Sequence, residues 1–133
     1  NQVSGFRAYD TQAGLYNNYV AAHGKQEADR FSARPGYSEH QTGLVFDLID
    51  NQGKLLGSDG TNEASKKAAE WLANNAHKYG YIVRYKPEFV DKTGYMEESW
   101  HIRYVGEDIA KTIHEKNISL EEYLNAPGGD YAN

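Results

Sequence analysis

The chain has 133 residues, and 14 Lys and Arg against 19 Asp and Glu give a formal charge of −5. One domain of this length buries about two thirds of its unfolded surface, and the acidic balance argues against a nucleic-acid backbone partner or a surface held to anionic lipid by charge alone. There is no cysteine, which excludes disulfides, thiol catalysis and cysteine-based zinc sites, and no apolar run approaches the roughly 20 residues of a membrane span.

Val3 to Tyr9 reads as a short strand or extended entry. Asp10 has the character of an N-cap for a helix from Thr11 to His23, with Leu15, Tyr16, Tyr19 and Val20 as its apolar stripe and Gly24 as its stop. Lys25 to Phe31 continues that helix or begins a second one. Ser32 to Gly43, rich in Gly, Pro and polar residues, reads as loop. Leu44 to Ile49 is a strand, and the turn Asp50-Asn51-Gln52-Gly53 before Lys54-Leu55-Leu56 suggests a hairpin. Ala64, Ala68, Trp71, Leu72, Ala76 and Tyr79 recur at helical spacing, predicting a helix over Asn62 to Tyr79 closed by Gly80. Tyr81 to Tyr85 is a strand, Lys86 to Glu97 a loop and Ser99 to Val105 another strand. Gly106 opens a helix from Glu107 to Lys116, and Ser119 with Glu122 forms a capping-box pattern for a last helix, Leu120 to Leu124. The tail from Ala126 to Asn133 is expected to fray. Together these elements predict an α+β fold: a small, mostly antiparallel sheet flanked by helices, in a single domain over residues 1–133. Because the chain begins at Asn1 rather than Met, a leader or anchor upstream is expected to have been removed.

The strand over Leu44 to Ile49 should be buried, yet it carries Asp47 on the same face as Val45 and Ile49. A carboxylate there needs a partner: a backbone amide, an arginine or a metal. His40 lies seven residues earlier, and an extended chain would separate the two by about 23 Å. They meet only if the chain doubles back, for which Thr42-Gly43 is a suitable place. A third candidate is His101, on the strand from Ser99 to Val105, with Glu98 three residues before it. A flat strand would point those two side chains opposite ways, so a turn or bulge is required to unite them. Two histidines and a carboxylate make a three-ligand zinc site with a fourth position open to water. A free carboxylate nearby then serves as general base for that water and as acid for the leaving amine, a role that suits Glu98.

Ser38-Glu39-His40-Gln41-Thr42-Gly43-Leu44-Val45-Phe46-Asp47 resembles the Ser-x-His-x-x-Gly-x-x-x-Asp motif of the zinc D-alanyl carboxypeptidases and dipeptidases, the group with the VanY, VanX and LdcB enzymes. Glu98-Ser99-Trp100-His101 is similar to its Glu-x-x-His motif, and Ser4-Gly5-Phe6-Arg7 followed by Tyr9-Asp10-Thr11-Gln12 to its N-terminal segment. The three blocks occur in family order. The resemblance implies one zinc ion on His40, Asp47 and His101, a zinc site on the sheet, Glu98 as catalytic acid and base, and a substrate pocket lined by Arg7, Gln12 and Ser38. The fork of donors on Arg7 suits a terminal carboxylate or a developing oxyanion. Ser99 stands where the family often has Pro, which would loosen the backbone between Glu98 and His101, and Glu97 beside Glu98 leaves room for a one-residue slip.

The implied activity is a peptidoglycan carboxypeptidase removing D-alanine from stem tetrapeptides at the L-Lys–D-Ala bond. The alternatives are a D,D-carboxypeptidase acting on pentapeptides, a cross-link endopeptidase and a non-catalytic wall-binding module. The implied partner is the peptidoglycan stem peptide, met by an extracytoplasmic bacterial domain acting as a monomer, with no nucleic acid and no membrane contact of its own. His23, His77 and His114 read as solvated or capping residues, and Arg34, Arg84 and Glu39 as surface residues. Arg103 reads as either a substrate contact or an ion-pair partner, and Trp100 as a core or pocket-wall aromatic. Most of the eleven tyrosines are read as packing at strand edges, and Asp50 and Asp59 as turn and cap residues.

Overall fold

Gly24 divides the first helical stretch in two in the computed structural model, which describes residues 2–128. Helix α1 spans Tyr9–His23 and α2 spans Lys25–Phe31. Helix α1 starts two residues before the sequence expectation, with Ala8 at the N-cap and no side-chain cap. Asp10 therefore stands in the first turn, where its charge meets the positive end of the helix. Of the expected stripe only Tyr16 is buried; Tyr19 is exposed, edge-on to Phe31.

Within the segment read as loop, Glu39–Thr42 forms a short 3₁₀ turn. Gly43, at φ 74°, then reverses the chain in a left-handed conformation that favours glycine. Strand β2, Val45–Leu48, follows. It pairs with β1, Gln2–Ser4, on one side and with β4, Glu98–Tyr104, on the other, and β3, Tyr81–Tyr85, closes an all-antiparallel sheet of order β1-β2-β4-β3. The expected hairpin onto Leu55 shrinks to one bridge, Ile49 to Leu55, with Leu56 N donating to Leu48 O. The other two strands have taken the edges of β2.

Helix α3, Glu63–Asn75, is capped by Asn62, whose Oδ1 accepts from Ser65 N, and it tightens into a 3₁₀ turn over Ala76–Tyr79. Its buried face is Ser65, Ala69, Leu72 and Ala76, whereas Trp71 and Tyr79 are 56% and 63% exposed. The expected stripe is therefore rotated by one position. Ser65 goes inside because its Oγ accepts from Gly57 N at 3.0 Å. Gly57, at φ 72°, approaches so closely that a Cβ there would lie 2.6 Å from that of Ala69. This face packs with Phe46, Leu48, Val83, Trp100 and Ile102 into the main core.

A second cluster joins Ile82 of β3 to Ala110, Ile113 and Leu120 of the last two helices. Helix α4, Val90–Thr93, is a single turn inside the segment read as loop; α5 spans Glu107–Lys116 and α6 spans Leu120–Leu124. The Ser119–Glu122 capping box is formed in both directions. Of the tail expected to fray, Ala126 N donates to Glu121 O, and residues 129–133 lie outside the described residues. No helix among the described residues is long and apolar enough to cross a membrane.

Candidate metal and catalytic site

The register of β2 with β4 sets Asp47 directly opposite His101. Alternation sends Phe46 and Ile102 into the core under α3 and turns Asp47 and His101 to the other face. The 3₁₀ turn then folds His40 back onto the same spot. His40 Nε2 lies 3.3 Å from Asp47 Oδ2, and His101 Nδ1 lies 3.1 Å from Asp47 Oδ1. The two imidazoles meet edge-on with centroids 5.1 Å apart. One ligand atom from each of His40, Asp47 and His101 falls within 4.8 Å of the others.

The outer nitrogens test whether this set suits a metal. His40 Nδ1 sits 2.7 Å from Gly5 O, and His101 Nε2 sits 2.8 Å from Glu39 Oε1. A carbonyl and a carboxylate only accept, so each outer nitrogen carries a proton and the inner nitrogens, His40 Nε2 and His101 Nδ1, are the ones available as ligands. Burial opposes charging His101, but the hydrogen bonds with Asp47 and Glu39 outweigh it and raise the ring to about 9. A divalent ion held by these atoms would take the place of the Nδ1 proton. Burial likewise opposes ionising Asp47, yet contact with both histidines holds it well below the usual carboxylate range. The residues therefore fit one zinc ion.

Glu98 reaches the site through the irregularity its spacing requires. Val83 pairs with Ile102 but Tyr85 pairs with Glu98, so four steps along β4 face two along β3. Glu98 Oε2 consequently lies 3.4 Å from His101 Nδ1, while Glu97 is exposed. Burial pushes the Glu98 carboxyl up to about 7, with Asp47 and Glu39 adding to the rise and His101 and Arg7 opposing it. Ser99 does not leave this backbone loose: its hydroxyl donates to Leu56 O at 2.7 Å.

Arg7, Gln12 and Ser38 line, with His40, Asp47, Glu98 and His101, a cleft of about 740 Å³. Arg7 donates from Nη1 to Gln12 Oε1 at 2.9 Å and from Nη2 to Ser4 Oγ at 3.1 Å, and Nη2 stands 3.9 Å from Asp47 Oδ2. Gln12 is buried and donates to Ala33 O at 2.6 Å, so it anchors Arg7. Ser38 accepts from His40 N and caps the turn that carries His40. Trp100 lines the cleft and packs on the main core, combining both roles expected of it.

Three residues read as surface groups are not. Arg34 pairs with Asp29 through two hydrogen bonds. Arg84 pairs with Glu121 and Glu39, and Glu39 holds His101. Arg103 is an ion-pair partner, donating to Glu39 at 2.9 Å. Burial would raise Glu39, but the hydrogen bond from His101 and the charges of Arg84, His101 and Arg103 hold it at about 2. One signal was present in the sequence: strand alternation puts Arg103 on the same face as His101, a cation that calls for a carboxylate. Tyr85, whose ring centroid lies 4.9 Å from that of His101, was also missed, and burial followed by Glu39 pushes its hydroxyl well up. His77 and His114 stack on each other 3.7 Å apart, His23 meets Phe31, and none of the three belongs to the ligand group. Asp50 forms the expected turn, accepting from Gln52 N and Lys54 N.

The L,D-carboxypeptidase DacB from Streptococcus pneumoniae is 55% identical, with 96% of this chain and 65% of that chain covered and a TM-score of 0.83. The vancomycin-resistance D,D-pentapeptidase VanY from a VanB-type cassette, solved as a Glu-to-Ala mutant with Zn(II), is 34% identical over 94% of this chain and 71% of that chain, with a TM-score of 0.79. A D-alanyl-D-alanine carboxypeptidase of Enterococcus faecalis is 35% identical over 92% of this chain and 46% of its own length. The chain thus spans less than half of that relative. Residues 1–107 match the family model for VanY, D-alanyl-D-alanine carboxypeptidase, and the chain belongs to that family.

Proposed function

We propose that the chain, read as a single peptidase unit, is a zinc L,D-carboxypeptidase that removes the terminal D-alanine from peptidoglycan stem tetrapeptides at the L-Lys–D-Ala bond. The observation that carries this reading is the convergence of His40, Asp47 and His101 within 4.8 Å, with Glu98 beside them in an open cleft. The L,D preference is supported by 55% identity to an L,D-carboxypeptidase against 34% to a D,D-pentapeptidase.

In this reading His40 Nε2, Asp47 and His101 Nδ1 would hold zinc, which would supply Lewis acidity and lower the pKa of water. Glu98 takes the proton of the attacking water and hands it to the departing amine of D-alanine. A carboxyl held near 7 by burial is matched to both transfers, and a divalent cation beside it draws it lower, toward the base form. Arg7, oriented by Gln12 and Ser4, offers its fork to the substrate's terminal carboxylate or to the oxyanion. Ser38 keeps the His40 turn closed from the rim of the same cleft. The substrate then dictates an extracytoplasmic location, at the wall or anchored outside the membrane, and the unit acts as a monomer.

The test is mass spectrometry of a tetrapeptide and a pentapeptide muropeptide incubated with the zinc-loaded protein and with Glu98→Ala. Loss of one alanine from the tetrapeptide alone is expected. Glu98→Ala should keep its zinc and lose about 10²–10⁴-fold in kcat; full activity in that variant would remove Glu98 from the role. Loss from the pentapeptide alone would favour the D,D reading, which the Enterococcus faecalis relative supports.

A further inference from the structure

Glu39 approaches His101 from the side opposite Asp47, and its own second oxygen leads away from the cleft to the last helix. Glu39 Oε1 accepts from His101 Nε2 at 2.8 Å, and Oε2 accepts from Arg103 Nη1 at 2.9 Å and Arg84 Nε at 3.3 Å. The rest of the Arg84 fork makes two hydrogen bonds to Glu121, at 2.6 and 3.0 Å. The chain of contacts is largely buried: the side chains of Glu39, Arg84 and Glu121 are 11%, 11% and 13% exposed. We propose that Glu39 is a positioning residue for the metal ligand His101, and that Glu121 of α6 holds it in place through Arg84. This rests on the reading of His40, Asp47 and His101 as zinc ligands.

A carboxylate on the outer nitrogen fixes the ring plane and makes the inner nitrogen a better donor. A surface ion pair would not need to touch His101. Glu39 instead divides its two oxygens, one to the ligand and one to two guanidinium groups. The arginines prevent Glu39 from rotating away, and the bidentate contact prevents Arg84 from doing so. Glu121 is fixed in turn by the first turn of α6, whose capping box and buried Leu120 set its position. The family match ends at residue 107, so the far end of the relay lies in a helix outside the motif-bearing region.

The experiment is the zinc dissociation constant of the full chain by chelator competition, with the Co(II) absorption spectrum and the melting temperature of the metal-free protein measured alongside. Variants are Glu39→Ala, Glu39→Gln and Glu121→Gln. Glu39→Ala should weaken zinc by about 10–100-fold and alter the Co(II) spectrum. Glu39→Gln should recover part of the loss, because its amide oxygen still accepts from Nε2, and it serves as the test if the alanine variant does not fold. Glu121→Gln should produce a smaller loss of the same kind. Unchanged affinity and spectrum in the Glu39 variants, whatever their melting temperatures, would overturn the inference alone. An unchanged Glu121→Gln would overturn its α6 half. A wild-type chain that takes up no zinc would overturn the ligand reading itself and this inference with it.

Discussion

Individual side chains in this protein are shaped by what their neighbours allow. Arg7 is held by Gln12 and Ser4 in front of Asp47, so its planar fork, not only its charge, is presented to the cleft. A lysine keeps the charge and loses the fork. Charge-assisted hydrogen bonds contribute about 1.5–3 kcal/mol, so Arg7→Lys should lower kcat/KM on the tetrapeptide by about 10–100-fold, read from steady-state kinetics with zinc content confirmed. His77 offers a second residue-level expectation, away from the cleft. It stacks on His114, its Nδ1 is buried without a hydrogen-bond partner among the described residues, and burial followed by the charges of His114 and Lys78 lowers its pKa, with Glu115 opposing. A lowered pKa means that the unfolded chain binds the proton more readily. The stabilising contribution of neutral His77 is therefore complete above its ordinary value of 6.5 and fades as the pH falls through and below it. Melting temperatures from pH 7.5 to 5.5 should fall more steeply in the wild type than in His77→Phe; parallel curves would remove His77 as the cause.

Among the elements, Gly57 carries a large constraint. Its φ of 72° and the 2.6 Å approach of a Cβ to Ala69 let the segment after Leu56 lie against α3 and receive Ser99. Overpacking costs about 1–3 kcal/mol and the left-handed backbone adds to it, so Gly57→Ala should lower the unfolding free energy by at least that amount, read from the shifted midpoint and slope of a urea titration. The same region shows what was legible in the sequence. Element order and type were readable from caps and periodicity: the Ser119 start and the Gly80 stop stand, whereas α3 is capped by Asn62 and not by Asp59. The buried stripe of α3 was not, because Ala64/Ala68 and Ser65/Ala69 are equally small, and only the hydrogen bond from Gly57 to Ser65 decides between them. The hairpin was overread for a related reason. Turn chemistry at Asp50 is local, but the pairing of β2 is decided by strands distant in sequence.

At the scale of the whole molecule, the candidate site was legible where chemistry repeats at fixed spacing, and illegible where it depends on long-range contact. His40, Asp47, Glu98 and His101 were raised as candidates by residue type and strand patterning and given their roles by the resemblance to the family motifs, and a reversal near Thr42-Gly43 and a turn or bulge beside Glu98 were required in advance. Glu39 was read as a surface residue because nothing local announces that residues of β3 and β4 converge on it. The opposition of Asp47 and His101, which are 54 positions apart, has a consequence for how the metal arrives. In small domains whose ligands meet only around the ion, metal binding and folding are one event. Here the backbone pairing of β2 with β4 closes that loop as well. Chelator should strip the ion and leave the far-UV circular dichroism intact, with a lower melting temperature. Refilling should be a single bimolecular capture, its rate linear in free zinc and without a lag, because the chain has no conformational search left to make.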